Sequence, residues 1–184
     1  MPRLPMSILL KRLENEEKEL KEAGIEFEAI PLYEDERGKL VKVSTIYGEE
    51  YVEAVKKYIV TLHAKGYEKM PSGDIIERYE HKVAIYVLRH YPFPSGSRLG
   101  APIRFEWITP IFHPNISQGT SVGGKGVVCW HVLQDWLPTL NLLSIIKGLK
   151  SLVEKPNLND ILLFPETREA ASWYEEREKS LKTK

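Results

Sequence analysis

At 184 residues the chain has the length of one domain, 1–184, with a sizeable core, and its 42% apolar and 28% charged residues exclude disordered and collagen-like classes. Lys plus Arg balance Asp plus Glu at 26 each, so no basic excess is present to neutralise a phosphate backbone, and protein partners are expected rather than nucleic acid. No apolar run nears the roughly 20 residues of a membrane span, the start is too weakly apolar for a signal peptide, and a single cysteine forms no internal disulfide, so a cytoplasmic protein without a membrane partner is expected.

In chain order, residues 6–22 predict a helix, with Met6, Leu10, Leu13 and Leu20 on one stripe and Glu14/Lys18 and Glu17/Lys21 paired four apart. Gly24 supplies the stop. From Ile25 the apolar period falls to two: Ile25, Phe27 and Ala29, then Val41 and Val43 after Arg37-Gly38, predict an antiparallel hairpin. Residues 49–64 return to helical spacing through Val52, Val55, Ile59 and Leu62, which predicts an inserted helix. Pro71-Ser72-Gly73 breaks the chain, and 82–88 and 103–107 read as strands. Beyond Pro138, Leu142, Leu143, Ile146, Leu149 and Val153 mark a helix that Pro156-Asn157 interrupts, and Pro165 opens a last helix. The result is an α+β fold: an antiparallel sheet of about four strands with N-terminal and C-terminal helices.

Residues 108–138 carry little periodicity, and such long irregular stretches in compact domains are usually functional. They contain Cys129, the only cysteine. A free cysteine by default packs as a small hydrophobe, so its neighbours must carry any catalytic reading. No cysteine pairs or close histidine clusters give zinc-site spacing, and no metal or small-molecule cofactor is expected.

The neighbours do carry one. Tyr91-Pro92-Phe93, Ile111 to Ile116 with His113-Pro114-Asn115, Val128-Cys129, Trp136-Leu137-Pro138, Pro156-Asn157 and Asp160-Ile161-Leu162 occur in the order found in ubiquitin-conjugating enzymes. The chain resembles that family from about residue 83 to 174. The resemblance implies that Cys129 accepts a ubiquitin-like modifier from an activating enzyme as a thioester and passes it to a lysine of a protein substrate, with a RING-type ligase assisting.

Acyl transfer builds negative charge on the carbonyl oxygen, and an Asn amide is a neutral donor suited to it, which is the role expected of Asn115. His113 and Pro114 are expected to brace and aim Asn115; a histidine merely satisfied in its loop is the alternative, and neither makes it a base. The attacking lysine must be neutral, and Asp160 matches the family's acid at that gate, as orienter or proton acceptor, unless it is simply loop chemistry. By resemblance, Phe93, Leu137 and Pro138 face the ligase and Lys11 and Arg12 the activating enzyme; a core Phe93 and a solvated basic face are the alternatives.

Three departures stand out. The 117–126 stretch lengthens the path from Asn115 to Cys129, the 95–100 stretch lengthens the loop after Phe93, and Trp130-His131 follow the cysteine where the family more often has Leu and Asp. Gly119, Gly124 and Lys125 imitate a phosphate-binding loop, but Gly126 replaces the required hydroxyl residue. Two rival readings remain: a noncatalytic variant of the same fold acting as a binding module for ubiquitin-like proteins, and a cysteine hydrolase, which requires a thiol acidified by a cationic partner or helix N-terminus.

Overall fold

The computed structural model describes residues 2–118 and 126–183. These form three helices and five strands: α1 (Met6–Glu22), β1 (Glu26–Pro31), β2 (Lys39–Thr45), β3 (Gly48–Lys69), β4 (Ile75–Leu88), β5 (Ile103–Trp107), α2 (Leu142–Glu154) and α3 (Pro165–Lys182). The α+β arrangement stands, with one antiparallel sheet in the order β1-β3-β4-β5 and β2 also paired to β3. No helix among the described residues is long and apolar enough to cross a membrane.

The helix expected at 49–64 is strand β3. Val52, Val55, Ile59 and Leu62 mimic a 3.6 period, but β3 is paired along both edges and bulged at Ala54/Lys56 and His63/Gly66. A bulge inserts a residue and shifts the alternation, so the spacing between same-face residues is no longer an even two. Val52 and Ala54 face one side, while Val55, Tyr58, Val60, Leu62 and Ala64 face the other. β-branched and aromatic residues across 51–61 favour this pleated surface.

The hairpin expected between the first two strands is also different. β1 and β2 each pair with β3, β1 along 56–61 and β2 along 48–54, so they lie in succession on one edge of the longer strand. At the Ala54/Lys56 bulge β3 turns, and the β2–β3 hairpin wraps over the outer face of the sheet. There Val43, Val52 and Ala54 cover Ala84, Tyr86 and Leu88 of β4, and Glu50 accepts from Nε of Arg104 on β5 at 2.6 Å.

The inner face, Val83, Ile85 and Val87 with Ile103, Phe105 and Trp107, packs on α1 and α2. On α1 the buried stripe is Met6, Leu9, Leu13, Glu16 and Leu20; Glu14/Lys18 pair as expected at 3.7 Å, whereas Glu17 bonds Lys56 on β3 at 2.9 Å. Gly24, at φ +74°, ends the helix. Asn141 and Ser144 cap α2 reciprocally. α3 lies against the β3–β4 hairpin, where Trp173 and Tyr174 meet Tyr67 edge-on and Lys69 bonds Glu169.

Glu16 is a buried carboxylate on the inner side of the sheet, only 5% exposed. One carboxylate oxygen accepts from the Tyr91 hydroxyl and from the backbone N–H of Leu142, both at 2.7 Å, and the other accepts from Nε of Arg12 at 3.0 Å. The anion sits at the N-terminus of α2, where the helix dipole favours it, and fastens α1, the 91–93 loop and α2 at one point. Glu16→Ala leaves buried donors unpaired and is expected to lower the unfolding free energy by about 3 kcal/mol, with Glu16→Gln losing less, as measured by urea denaturation.

Candidate active site

The irregular stretch is organised by a short two-stranded ladder. Ile116 bridges Val128, the N–H of Cys129 donates to the Asn115 carbonyl and the N–H of Ser117 to the Val127 carbonyl, both at 2.8 Å. Residues opposite one another in an antiparallel pair project to the same side. Ile116 and Val128 therefore turn into the main core together, while Asn115 and Cys129 share the other side. This pairing brings together two residues that lie 14 apart in sequence.

Gly126 anchors the return. Its φ is +63°, its carbonyl accepts from the Trp107 N–H at 2.8 Å, and a Cβ there would lie 2.3 Å from the Trp107 oxygen. Residues 127–129 are extended rather than the start of a helix, which removes the phosphate-loop reading; its Gly119, Gly124 and Lys125 lie outside the described residues.

The Asn115 side chain is completely buried. Its Nδ2 donates to the carbonyls of Asn157 and Asp160 at 2.9 and 2.8 Å, and its Oδ1 accepts from the Asn157 N–H at 2.8 Å. Pro114 joins the same segment through its carbonyl, which accepts from the Leu162 N–H at 2.9 Å. The 157–162 segment is thereby held over the cysteine, whose Sγ donates to the Asp160 carbonyl at 3.7 Å. The Asp160 residue is itself exposed, so its backbone faces the thiol while the residue remains open to solvent.

His113 lies beneath. Its Nδ1 accepts from the Asn115 N–H at 3.0 Å, and that bond fixes the tautomer in which Nε2–H donates to the Leu152 carbonyl at 2.7 Å. Leu152 is in the last turn of α2, where carbonyls lack intrahelical partners. Burial holds the imidazole down to about 4, so it is a neutral brace with both nitrogens spent.

Burial, reinforced by the Asp160 carboxylate, pushes the Cys129 thiol up to about 12. His131 has no part in that shift; it is exposed on the short turn His131–Leu133, with its ring edge-on to Trp130. Trp130 stacks on Phe105 and lies on α2 at Gly148, where a Cβ would come within 2.6 Å of the indole.

The outlying residues are placed differently. Phe93 is half-buried, Leu137 and Pro138 are exposed, and Nε1 of Trp136 donates to the Pro92 carbonyl at 2.8 Å, so the two loops adjoin. The 95–100 stretch is a closed loop, Ser95 N–H to Gly100 carbonyl at 2.8 Å, with Arg104 donating to the Leu99 carbonyl. Lys11 is exposed beside Glu14, whereas Arg12 turns inward to Glu16 and over the Tyr91 ring. Sequence reasoning missed Ile46 and Tyr47, the turn of the β2–β3 hairpin, which reaches the cysteine-bearing segment. The cue was the Gly48 that closes their turn, hidden once 49–64 was read as a helix.

His113 and His90 are both held down to about 4, chiefly by burial, and burial lowers His81 too. A histidine whose folded value lies below its unfolded value of about 6.5 binds protons preferentially in the unfolded chain, so stability is full above that value and is lost as pH falls toward 4. Unfolding free energies from urea titrations are expected to decline across that window, by about 3 kcal/mol from His113 alone.

The model of the ubiquitin-conjugating enzyme family matches residues 54–184. Among curated proteins, the chain is 32% identical over 94 residues to the Arabidopsis thaliana protein named probable ubiquitin-conjugating enzyme E2 31, covering 50% of this chain and 53% of the relative. It is 31% identical over 108 residues to probable ubiquitin-conjugating enzyme E2 L460 of Acanthamoeba polyphaga mimivirus, covering 58% of each. A shorter match, 45% over 62 residues, is to the NEDD8-conjugating enzyme UBC12 of Saccharomyces cerevisiae, covering 33% of this chain and 30% of that one. The chain thus spans about half the length of the first two relatives. The span matched by the family model contains β4, β5, α2, α3 and the paired Asn115 and Cys129, and the chain belongs to the ubiquitin-conjugating enzyme family.

Proposed function

We propose that the protein is a transferase for a ubiquitin-like modifier, with Cys129 as the acyl carrier. The observation that carries this reading is the backbone pairing that sets Cys129 beside Asn115 under the Asp160 segment. In the first step the Cys129 sulfur attacks the carbonyl carbon of a thioester on an activating enzyme; a new C–S bond forms, the old one breaks, and the cysteine proton leaves as the donor sulfur becomes a thiol. In the second, a lysine amine of a protein substrate attacks the same carbon, an amide forms, and Cys129 departs and regains a proton.

A thiol held near 12 is a poor spontaneous nucleophile at neutral pH, which suits a carrier that should react only with an activated, docked acyl donor. Asn115 serves here in two ways. It holds the Asp160 segment closed, and it stabilises the oxyanion once one of its N–H groups leaves a loop carbonyl for the developing charge. Asp160 stands at the mouth to receive or orient the lysine ammonium. A RING-type ligase docks on Phe93, Leu137 and Pro138. On the activating-enzyme side Lys11 is the available cation, since Arg12 is committed to Glu16. The hydrolase alternative needs an imidazolium beside the sulfur; His113 is neutral and occupied, and the thiol is shifted the opposite way.

Incubation with candidate modifiers, ubiquitin and NEDD8 first, plus activating enzyme and ATP is expected to give an adduct that thiols cleave and that Cys129→Ala abolishes. No adduct with any modifier would favour the binding-module reading. Asn115→Ala is expected to keep loading but slow discharge to free lysine by about a hundredfold, followed by gel-based single-turnover chase.

A further inference from the structure

The turn of the β2–β3 hairpin takes no part in the transfer described above, and it precedes the 54–184 span that the family model matches. Thr45 pairs with Gly48, leaving Ile46 and Tyr47 as a two-residue turn. Gly48 adopts φ +104°, and Thr45 Oγ1 stiffens the turn by donating to the Gly48 carbonyl at 2.9 Å and accepting from the Tyr47 N–H at 3.1 Å. A non-glycine residue at that φ is strained, so the turn geometry is built into the sequence.

Because the hairpin wraps over the outer sheet face, this tip is delivered to the cysteine-bearing segment. Ile46 is half-buried and packs both against the main core and against the small cluster of Val127, Cys129 and Leu162, which Phe164 also joins. Tyr47 is 51% exposed yet held twice: the Arg98 guanidinium lies over its ring at 4.9 Å, and its hydroxyl accepts from Nε2 of Gln134 at 3.1 Å. Arg98 belongs to the 95–100 loop and Gln134 to the stretch just after the cysteine, so Tyr47 ties the tip to both.

We propose that Ile46 is a positioning residue for Cys129: pinned by Tyr47, it completes the apolar collar of Val127, Leu162 and Phe164 that keeps water and small electrophiles from the sulfur. The use of the collar, selecting a docked protein thioester over small reagents, rests on the transferase reading; the collar itself does not. Water exclusion makes ionisation of the thiol costly, and only the thiolate is an effective nucleophile. The charged group acting on the sulfur is Asp160; on the tip side, Glu49 and Glu50 are engaged by Lys42 and Arg104. The tip therefore acts on the thiol through apolar contact rather than charge.

The test is alkylation of the full chain by iodoacetamide between pH 7 and 10, followed by intact mass, with thermal midpoints measured on the same samples. Ile46→Ala is expected to be alkylated about three- to tenfold faster at pH 8, with its pH profile displaced to lower pH; the gain is less than the gain in thiolate because a more acidic thiolate is also less nucleophilic. Ile46→Val should restore the slow rate, and Tyr47→Ala, which frees the tip without touching the collar, should accelerate it in the same direction. An unchanged rate and profile in Ile46→Ala, or an acceleration in Ile46→Val equal to that in Ile46→Ala, overturns the proposal. Thioester loading of the same variants separates the two readings. Loading with unchanged alkylation rejects the collar alone, whereas accelerated alkylation with no loading by any modifier rejects the transferase alone.

Discussion

The site depends on one buried carboxamide. Asn115 is fully buried, and an amide there must satisfy its donors and acceptor within the protein or bear the cost of desolvating them. It does so on the backbone of Asn157 and Asp160, a stretch with no sheet or helix partner of its own. Those three hydrogen bonds replace secondary structure for the segment that covers Cys129. The same residue is joined through its backbone to Cys129 on one side and to His113 on the other. Beyond His113 lies the last turn of α2, whose Leu152 carbonyl the imidazole satisfies. The chain of contacts runs from a helix terminus to a sulfur without a gap.

This economy sets a conflict between structure and chemistry. An oxyanion donor should be free to meet a developing charge, and both N–H groups of Asn115 are already engaged by carbonyls. A nucleophilic sulfur should ionise readily, and this one is buried among apolar side chains with the Asp160 carboxylate near enough to oppose its charge. On the proposed transfer, both features describe a resting arrangement that the chemistry must disturb, by moving the 157–162 segment or by admitting an acyl group beneath it. A thioester is already activated, so a suppressed thiol is tolerable in a transferase where it would disable a hydrolase. Suppression also protects a lone cysteine from adventitious oxidation and alkylation.

The scaffold explains how such a site stays in register despite its irregular backbone. Glu16 draws α1, α2 and the loop after Tyr91 together through one carboxylate, and a half-buried Arg12 pairs with it, so a cation legible as surface in the sequence is committed to a buried anion. On the other side of the sheet, the bulge in β3 converts an edge into a cover, with the β2–β3 hairpin closing over β4 and β5. Trp130 and Gly148 form a matched pair, an indole where a smaller residue is usual and a glycine where a helix would otherwise prefer alanine.

By itself the sequence determined α1, α2 and the short strand 103–107, because each keeps one period between Gly or Pro breaks, and it marked the start of α3 at Pro165. It also singled out the candidate residues of the site, because Cys129, His113, Asn115 and Asp160 are chemically distinctive residue types in a distinctive order. The tertiary structure alone decided β3, where pairing on both edges and two bulges scramble the alternation that a single strand would show. It alone decided that β1 and β2 share one partner, since pairing is a property of two segments and neither carries its register. It also decided which residues are spent: Arg12 and both donors of Asn115 look available in sequence and are engaged in space, and Ile46 looks remote from Cys129 and packs against the cluster that contains it. Proximity across 83 residues (46 to 129) has no local signature in a chain; it arises only when a strand bends and brings its far end home.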